Sequence, residues 1–178
     1  MKECEFRMIE DRNRTPGAVV EKDGVHFGFY GSGQERPVLL LYKKGCMEVE
    51  AEIPFPQPSP ADSLYTMKVK IPAAQYEYNF REGDTVITDP YAGLVCGREQ
   101  FGQLPPLSPH GIRGGFVTKK FDWGEDVLPE IPYEDAVMYH LHVRGFTMQK
   151  NSGVRKKGTF AGLKNKIPYL KDLGVNQV

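Results

Sequence analysis

Ala136-Val137-Met138-Tyr139-His140-Leu141-His142-Val143-Arg144-Gly145-Phe146 is the stretch that decides how the chain is read. Six of its eleven residues are large and apolar, without clean alternation. Such a run fits a strand covered on both faces, as in a parallel sheet or barrel, better than one half-exposed in a sandwich. Downstream, a polar loop at 147–157 carries the basic cluster Arg155-Lys156-Lys157. Thr159 then stands as a helix N-cap. Phe160, Leu163, Ile167, Leu170 and Leu173 recur every three or four residues and predict an apolar helix stripe. Pro168 predicts a break, with the proline in the first turn of a second helical segment. Gly174 suits a C-terminal cap, and residues 175–178 begin another strand. The order is strand, loop, helix, strand, as in one βαβ unit.

Everything upstream has a different rhythm. The first twenty residues show no periodicity. After the Asp23-Gly24 turn, Val25, Phe27 and Phe29 share one strand face. Residues 38–42 are a short continuous apolar run. Residues 47–53 alternate, with Met47, Val49, Ala51 and Ile53 opposite Glu48, Glu50 and Glu52. Four prolines in 54–60 stop any ladder. Alternation resumes through Tyr65, Met67, Val69 and Ile71, then Tyr76, Tyr78 and Phe80, and 85–88 close a hairpin. About six short strands at this spacing predict a mainly β protein with an immunoglobulin-like antiparallel β-sandwich. Residues 93–115 are rich in Gly and Pro and read as a long surface connection. Residues 116–123 are expected to add a strand, and 124–135 form a second polar connection.

Lys plus Arg and Asp plus Glu both number 23, so no overall basic field is available to hold nucleic acid. No apolar run approaches the ~20 residues that span a bilayer, and the N-terminus lacks a signal-like segment. Cys4, Cys46 and Cys96 are odd in number, far apart and in no metal-binding spacing. They predict inert thiols and a reducing, cytoplasmic location, with secretion as the alternative.

The candidate chemical groups are few. His140 and His142 share a strand face, but a metal needs a third ligand, which neither His26 nor His110 offers by spacing. No metal and no cofactor is expected. Glu125/Asp126 and Glu134/Asp135 are adjacent pairs in polar connections. A glycosidase needs two carboxyls about 5–10 Å apart across a sugar. Trp123, Tyr30, Tyr42, Tyr65, Tyr76, Tyr78 and Tyr91 are available as sugar platforms, although most of the tyrosines fall on apolar strand faces. Lys156 and Lys157 read as a solvated loop.

The segment Tyr139-His140-Leu141-His142-Val143-Arg144-Gly145-Phe146-Thr147 resembles the first barrel strand of glycoside hydrolase family 13, the α-amylase family. The likeness is to its debranching branch of pullulanases, isoamylases and glycogen-debranching enzymes. Gly158-Thr159-Phe160-Ala161-Gly162-Leu163 and Lys166-Ile167-Pro168-Tyr169-Leu170-Lys171-Asp172-Leu173-Gly174-Val175 resemble the first barrel helix and the entry to the second strand. Asp89-Pro90-Tyr91-Ala92 and Phe121-Asp122-Trp123 resemble the family's junction between sandwich and barrel. The sandwich is similar to carbohydrate-binding module family 48.

The resemblance implies four parts: an N-terminal arm (1–20), a sandwich (21–95), a linker with an extra strand (96–135), and the start of a (β/α)8 barrel (136–178). It implies a retaining α-glucan hydrolase acting on α-1,6 bonds. Other α-amylase-family activities, α-1,4 hydrolysis or branching, are alternatives, as is a non-catalytic glucan-binding or structural module. The family's catalytic Asp, Glu and Asp stand at the ends of the fourth, fifth and seventh strands, beyond Val178. No catalytic residue is therefore assigned within the chain, and residues 1–178 alone are expected to be inactive. The expected partner is an α-glucan, with no nucleic acid and no membrane. The family's sandwich modules often carry Trp in a sugar site. Here the sole Trp, Trp123, lies in the connection, which favours a structural role for the sandwich. With both faces apolar, the segment from 136 is expected to be poorly ordered, to pack on the sandwich, or to self-associate.

Overall fold

The computed structural model describes residues 6–9, 11, 13–57, 63–99, 102, 107–119 and 121–178. Cys4 and part of the proline run at 54–60 lie outside them. The chain forms two compact units, Met1–Asp122 and Trp123–Val178.

The first unit is a sandwich of two antiparallel sheets. One contains β1 (Met8–Ile9), β2 (Gly17–Val20), β3 (Val25–Tyr30) and β6 (Leu64–Val69), in the order β1-β6-β3-β2. The other contains β4 (Val38–Lys43), β5 (Val49–Pro54), β7 (Tyr76–Glu82), β9 (Leu94–Cys96) and β10 (Arg113–Gly115), in the order β5-β4-β7-β10-β9. There β8 (Thr85–Ile87) forms a hairpin with β7. The alternating residues meet between the sheets: Val25, Phe27, Phe29, Leu39, Leu41, Tyr65, Met67, Val69, Tyr78 and Phe80 belong to one buried cluster. Burying each large apolar side chain there contributes about 1.5–3 kcal/mol relative to exposure. The mainly β, sandwich-type fold expected from the alternation is the one found.

Several details differ from the sequence reading. The N-terminal twenty residues contribute β1 and β2, each too short to show a period. Met47 is about half exposed, and β5 begins at Val49. The supposed surface connection at 93–115 supplies two strands, β9 and β10. Glycine hides this in the sequence: a Cβ on Gly114 would lie 2.7 Å from the Tyr78 ring, so the strand needs residues that carry no strand signal. Phe116 joins the core, but no strand continues through the described residues of 116–123.

In the second unit, Met138 pairs in parallel with Gln177 as a single bridge. The strand expected through Phe146 does not form. Residues 143–147 are instead the helical turn α1 (Val143–Thr147), because the His142 side chain caps it. The next helix is divided as Pro168 requires, into α2 (Phe160–Lys164) and α3 (Ile167–Asp172). Gly174, at φ 79°, ends α3. The expected stripe is not buried as a face. Leu170 is buried, whereas Phe160, Ile167 and Leu173 are 78%, 47% and 50% exposed. The interior of this unit is small: Thr147, Val154, Gly162 and Leu170.

Candidate functional site

Two polar clusters stand out in the sandwich. On the outer face of β4 and β7, Tyr42, Glu77 and Asn79 are buried. Alternation turns these side chains away from the apolar core, and the 110–113 segment meets them. Arg113 Nε donates to Glu77 Oε2 at 2.7 Å, and its Nη1 donates to the carbonyls of His110 and Gly111 at 2.6 and 3.0 Å. Glu77 Oε1 accepts from the Gly45 amide at 3.1 Å. The Tyr42 hydroxyl lies 2.7 Å from His110 Nδ1, and Asn79 Nδ2 donates to the Ile112 carbonyl. Burial pushes the Tyr42 hydroxyl up to about 12 and the nearby Cys96 thiol up to about 11. Neither is poised to act as a nucleophile near neutrality. Cys46 is an exposed free thiol.

The second cluster is the Asp89 corner. Tyr78 Oη donates to Asp89 Oδ2 at 2.6 Å, and the Tyr91 amide donates to Asp89 Oδ1 at 2.8 Å. Burial raises the Asp89 carboxyl above its ordinary value. Gly17, at φ 89°, lets the start of β2 approach: a Cβ there would sit 2.8 Å from Tyr91 Cβ. Asp89-Pro90-Tyr91 therefore fixes the exit of β8. On the other sheet, His26 is buried between Asp11 Oδ2 (2.6 Å from Nδ1) and the Thr15 carbonyl (2.8 Å from Nε2).

In the second unit, His142 Nδ1 accepts from the Gly145 amide at 3.2 Å, and Thr159 Oγ1 accepts from the Gly162 amide at 3.0 Å. These caps hold the ends of short helices. Thr147 Oγ1 accepts from the Gly158 amide at 2.7 Å, joining the loop to α1. Asn176 links the two strand starts by accepting from the Val137 amide and donating to the Asp135 carbonyl, both at 2.8 Å. A concavity of about 390 Å³ lies between α1, the 149–152 turn and α3.

The residues singled out from sequence are mostly structural or scattered. His140 is exposed and His142 is a cap, so they form no ligand pair, and His26 and His110 are each engaged in the sandwich. No group of three His, Cys, Asp or Glu side chains suited to a metal occurs among the described residues. Glu125, Asp126, Glu134 and Asp135 are exposed in the connection. Tyr65 and Tyr78 are core residues, Tyr42 is buried on the outer face beneath the 110–113 segment, and Tyr76 packs edge-on against Phe6, whereas Tyr30, Tyr91 and Trp123 are 52%, 57% and 68% exposed. Sequence reasoning missed Asp11, Glu77, Asn79 and Arg113; their partners are distant in the chain and no spacing signals them.

No family model matches the chain. It is 35% identical over 201 aligned positions to isoamylase 3 of Oryza sativa subsp. japonica, a chloroplastic protein; the match covers 99% of this chain and 26% of the relative. Other relatives include chloroplastic isoamylases of Arabidopsis thaliana and Zea mays and a malto-oligosyltrehalose trehalohydrolase of Saccharolobus solfataricus. The chain is also 28% identical to a glycogen debranching enzyme of Erwinia tasmaniensis, over 96% of this chain and 29% of the relative. Among solved structures, a Paenibacillus barengoltzii pullulanase in complex with maltohexaose and α-cyclodextrin shares the fold. The TM-score is 0.72 at 22% identity, covering 93% of this chain and 27% of that one. The chain spans about a quarter of the length of the curated relatives it matches, in their N-terminal region. No described helix is long and apolar enough to cross a membrane.

Proposed function

We propose that these residues form the N-terminal sandwich and the first strand-helix segment of an enzyme hydrolysing α-1,6 bonds in glycogen, starch or pullulan. The observation that carries this is the 35% identity to an isoamylase across both units, with the parallel Met138–Gln177 bridge where a barrel would begin. In this reading the sandwich is the Met1–Asp122 unit, which takes in the stretches read from sequence as the 1–20 arm and the first part of the 96–135 linker, and the barrel starts at 136. The catalytic carboxylates belong to later barrel strands. Residues 1–178 contribute position rather than chemistry: Asp89 fixes the sandwich exit, and His142 and Thr159 shape the first barrel loop and helix. The exposed Cys46 thiol supports a reducing compartment, which we take to be the cytoplasm.

A second reading is a glucan-binding sandwich. It is favoured by the exposed rings of Tyr30 and Tyr91, and by the maltohexaose in the similar pullulanase structure. The burial of Tyr42, Tyr65 and Tyr78 favours the structural role.

The test is hydrolysis by the intact gene product carrying these residues. Release of reducing ends from pullulan and from glycogen limit dextrin, with amylose left intact, is expected. Cleavage of amylose without attack on pullulan would replace debranching by α-1,4 hydrolysis. Residues 1–178 alone should release nothing from either. Retardation of that polypeptide in a glycogen-containing native gel would support the binding reading.

A further inference from the structure

His26 is fully buried, yet both of its ring nitrogens face oxygen atoms that accept protons rather than give them. Strand alternation puts Val25, Phe27 and Phe29 in the core and turns His26 and Gly28 to the opposite side of the sheet. The N-terminal segment crosses that side, because β1 and β2 lie at opposite edges in the order β1-β6-β3-β2. It runs close to the sheet: a Cβ on Gly28 would lie 2.1 Å from the Thr15 carbonyl oxygen.

The bonds fix a proton count. The Thr15 carbonyl only accepts, so His26 Nε2, 2.8 Å away, carries a proton. Asp11 Oδ2 stands 2.6 Å from Nδ1, and a second proton lies between them. Asp11 Oδ1 accepts from the Asn13 amide at 3.1 Å, which favours the carboxylate, and an imidazole is the stronger base of the two. The pair is an imidazolium against a carboxylate, 0% and 5% exposed. The other charged groups around it are Arg14, exposed on the crossing segment, Glu21 after β2, and Lys68, opposite His26 on β6. Lys68 pairs with Glu21 and with Asp23. Lys68 holds Glu21 below the ordinary carboxylate range, and Glu21 holds Lys68 above the ordinary ammonium range, so neither changes charge near neutrality.

We propose that His26 is a pH-sensitive latch: protonated, it binds the segment carrying Asp11 and Thr15 across the sheet, and loss of one proton releases that segment. Without the proton, either the Thr15 carbonyl or the Asp11 carboxylate loses its donor in a buried site, where an unpaired group is costly. A released segment frees an ordinary imidazole, which gives up its proton above about pH 6.5. The closed segment retains it. The closed-to-open ratio therefore falls as pH rises above about 6.5, by at most about 10-fold per pH unit. The latch belongs to the sandwich and does not depend on the hydrolase reading.

Amide exchange in the chain, corrected for intrinsic rates, tests it at Asn13 and Thr15, whose amides donate to Asp11 Oδ1 and Asn13 Oδ1. Their protection should fall about 10-fold or more between about pH 6.5 and about pH 8.5. Ring-nitrogen NMR at about pH 7.5 should show protons on both nitrogens of His26 while those amides remain protected. Asp11→Asn supplies an amide that donates to Nδ1, so a neutral ring satisfies both partners; protection should persist without the fall at high pH. His26→Gln has one nitrogen for two acceptors and should lower protection at every pH. Protection that is flat with pH in the natural chain would overturn the proposal, as would an Asp11→Asn chain that keeps the same fall. So would a His26 ring bearing one proton while the amides remain protected, a result that requires no variant to fold.

Discussion

Glu77 and Arg113 offer a demanding test of how the sandwich is held. Both side chains are 5% exposed, and Nε and Oε2 are 2.7 Å apart. Glu77→Leu leaves the guanidinium buried with the carbonyls of His110 and Gly111 and the Tyr42 ring but no countercharge. Arg113→Met leaves a buried carboxylate with the Gly45 amide and the Cys96 thiol but no countercharge. Each single change strands a charge, which costs about 3–5 kcal/mol. The double change removes both charges and leaves two carbonyls without their donor, at about 1 kcal/mol each. It should therefore cost about 2 kcal/mol, less than either single change, with a coupling of several kcal/mol. Urea unfolding followed by the fluorescence of the core tyrosines gives the four stabilities. A double variant that loses the sum of the two single losses would refute the reasoning. The pair would then be acting as two independent hydrogen-bonding groups rather than as a buried ion pair.

Gly28→Ala places a Cβ 2.1 Å from the Thr15 carbonyl, where backbone must shift; a loss of about 2–3 kcal/mol is expected from overpacking, read by thermal unfolding. Thr159→Ala removes the cap on the Gly162 amide and should cost about 1 kcal/mol, with faster amide exchange at the start of α2 and Ser in its place nearly neutral. For Asp89, burial raises the folded carboxyl above 3.8. The folded state thus holds the proton more firmly than the unfolded state. Stability from this group is fully present below 3.8 and is lost as pH rises through its raised folded value. The stability of the natural chain minus that of Asp89→Asn should fall as pH rises through that window; a flat difference would remove the buried carboxyl from the account.

What the sequence discloses, and where it stops, follows from range. The alternation of Val25, Phe27 and Phe29, or of Tyr65, Met67 and Val69, is local, and both sets occupy the core as expected. Caps are local too: Thr159, Pro168 and Gly174 act where their types predict. β10 is not local. Arg113-Gly114-Gly115 has no strand propensity and exists because Tyr78 leaves room only for glycine, while Arg113 finds Glu77 36 residues away. The run at 136–146 misleads for a related reason. Its apolar residues suggest a strand, but short-range bonds from Gly145 and Phe146 to His142 hold 143–147 as a helical turn, and the parallel pairing shrinks to Met138.

The same distinction explains the candidate site. The histidines weighed as ligands serve shape, His142 at a helix end and His26 in holding the N-terminal segment, as do Thr159 at a second helix end and Asp89 at the exit from β8. His26 has both ring nitrogens engaged and Thr159 Oγ1 both accepts and donates, so these atoms are committed to structure. The second unit illustrates the result. It reaches its form through caps and one parallel bridge, with few buried side chains, and leaves Phe160, Tyr169 and Leu173 on its surface. Local hydrogen bonds can specify the path of a loop and two short helices, but such a path gains little from apolar burial.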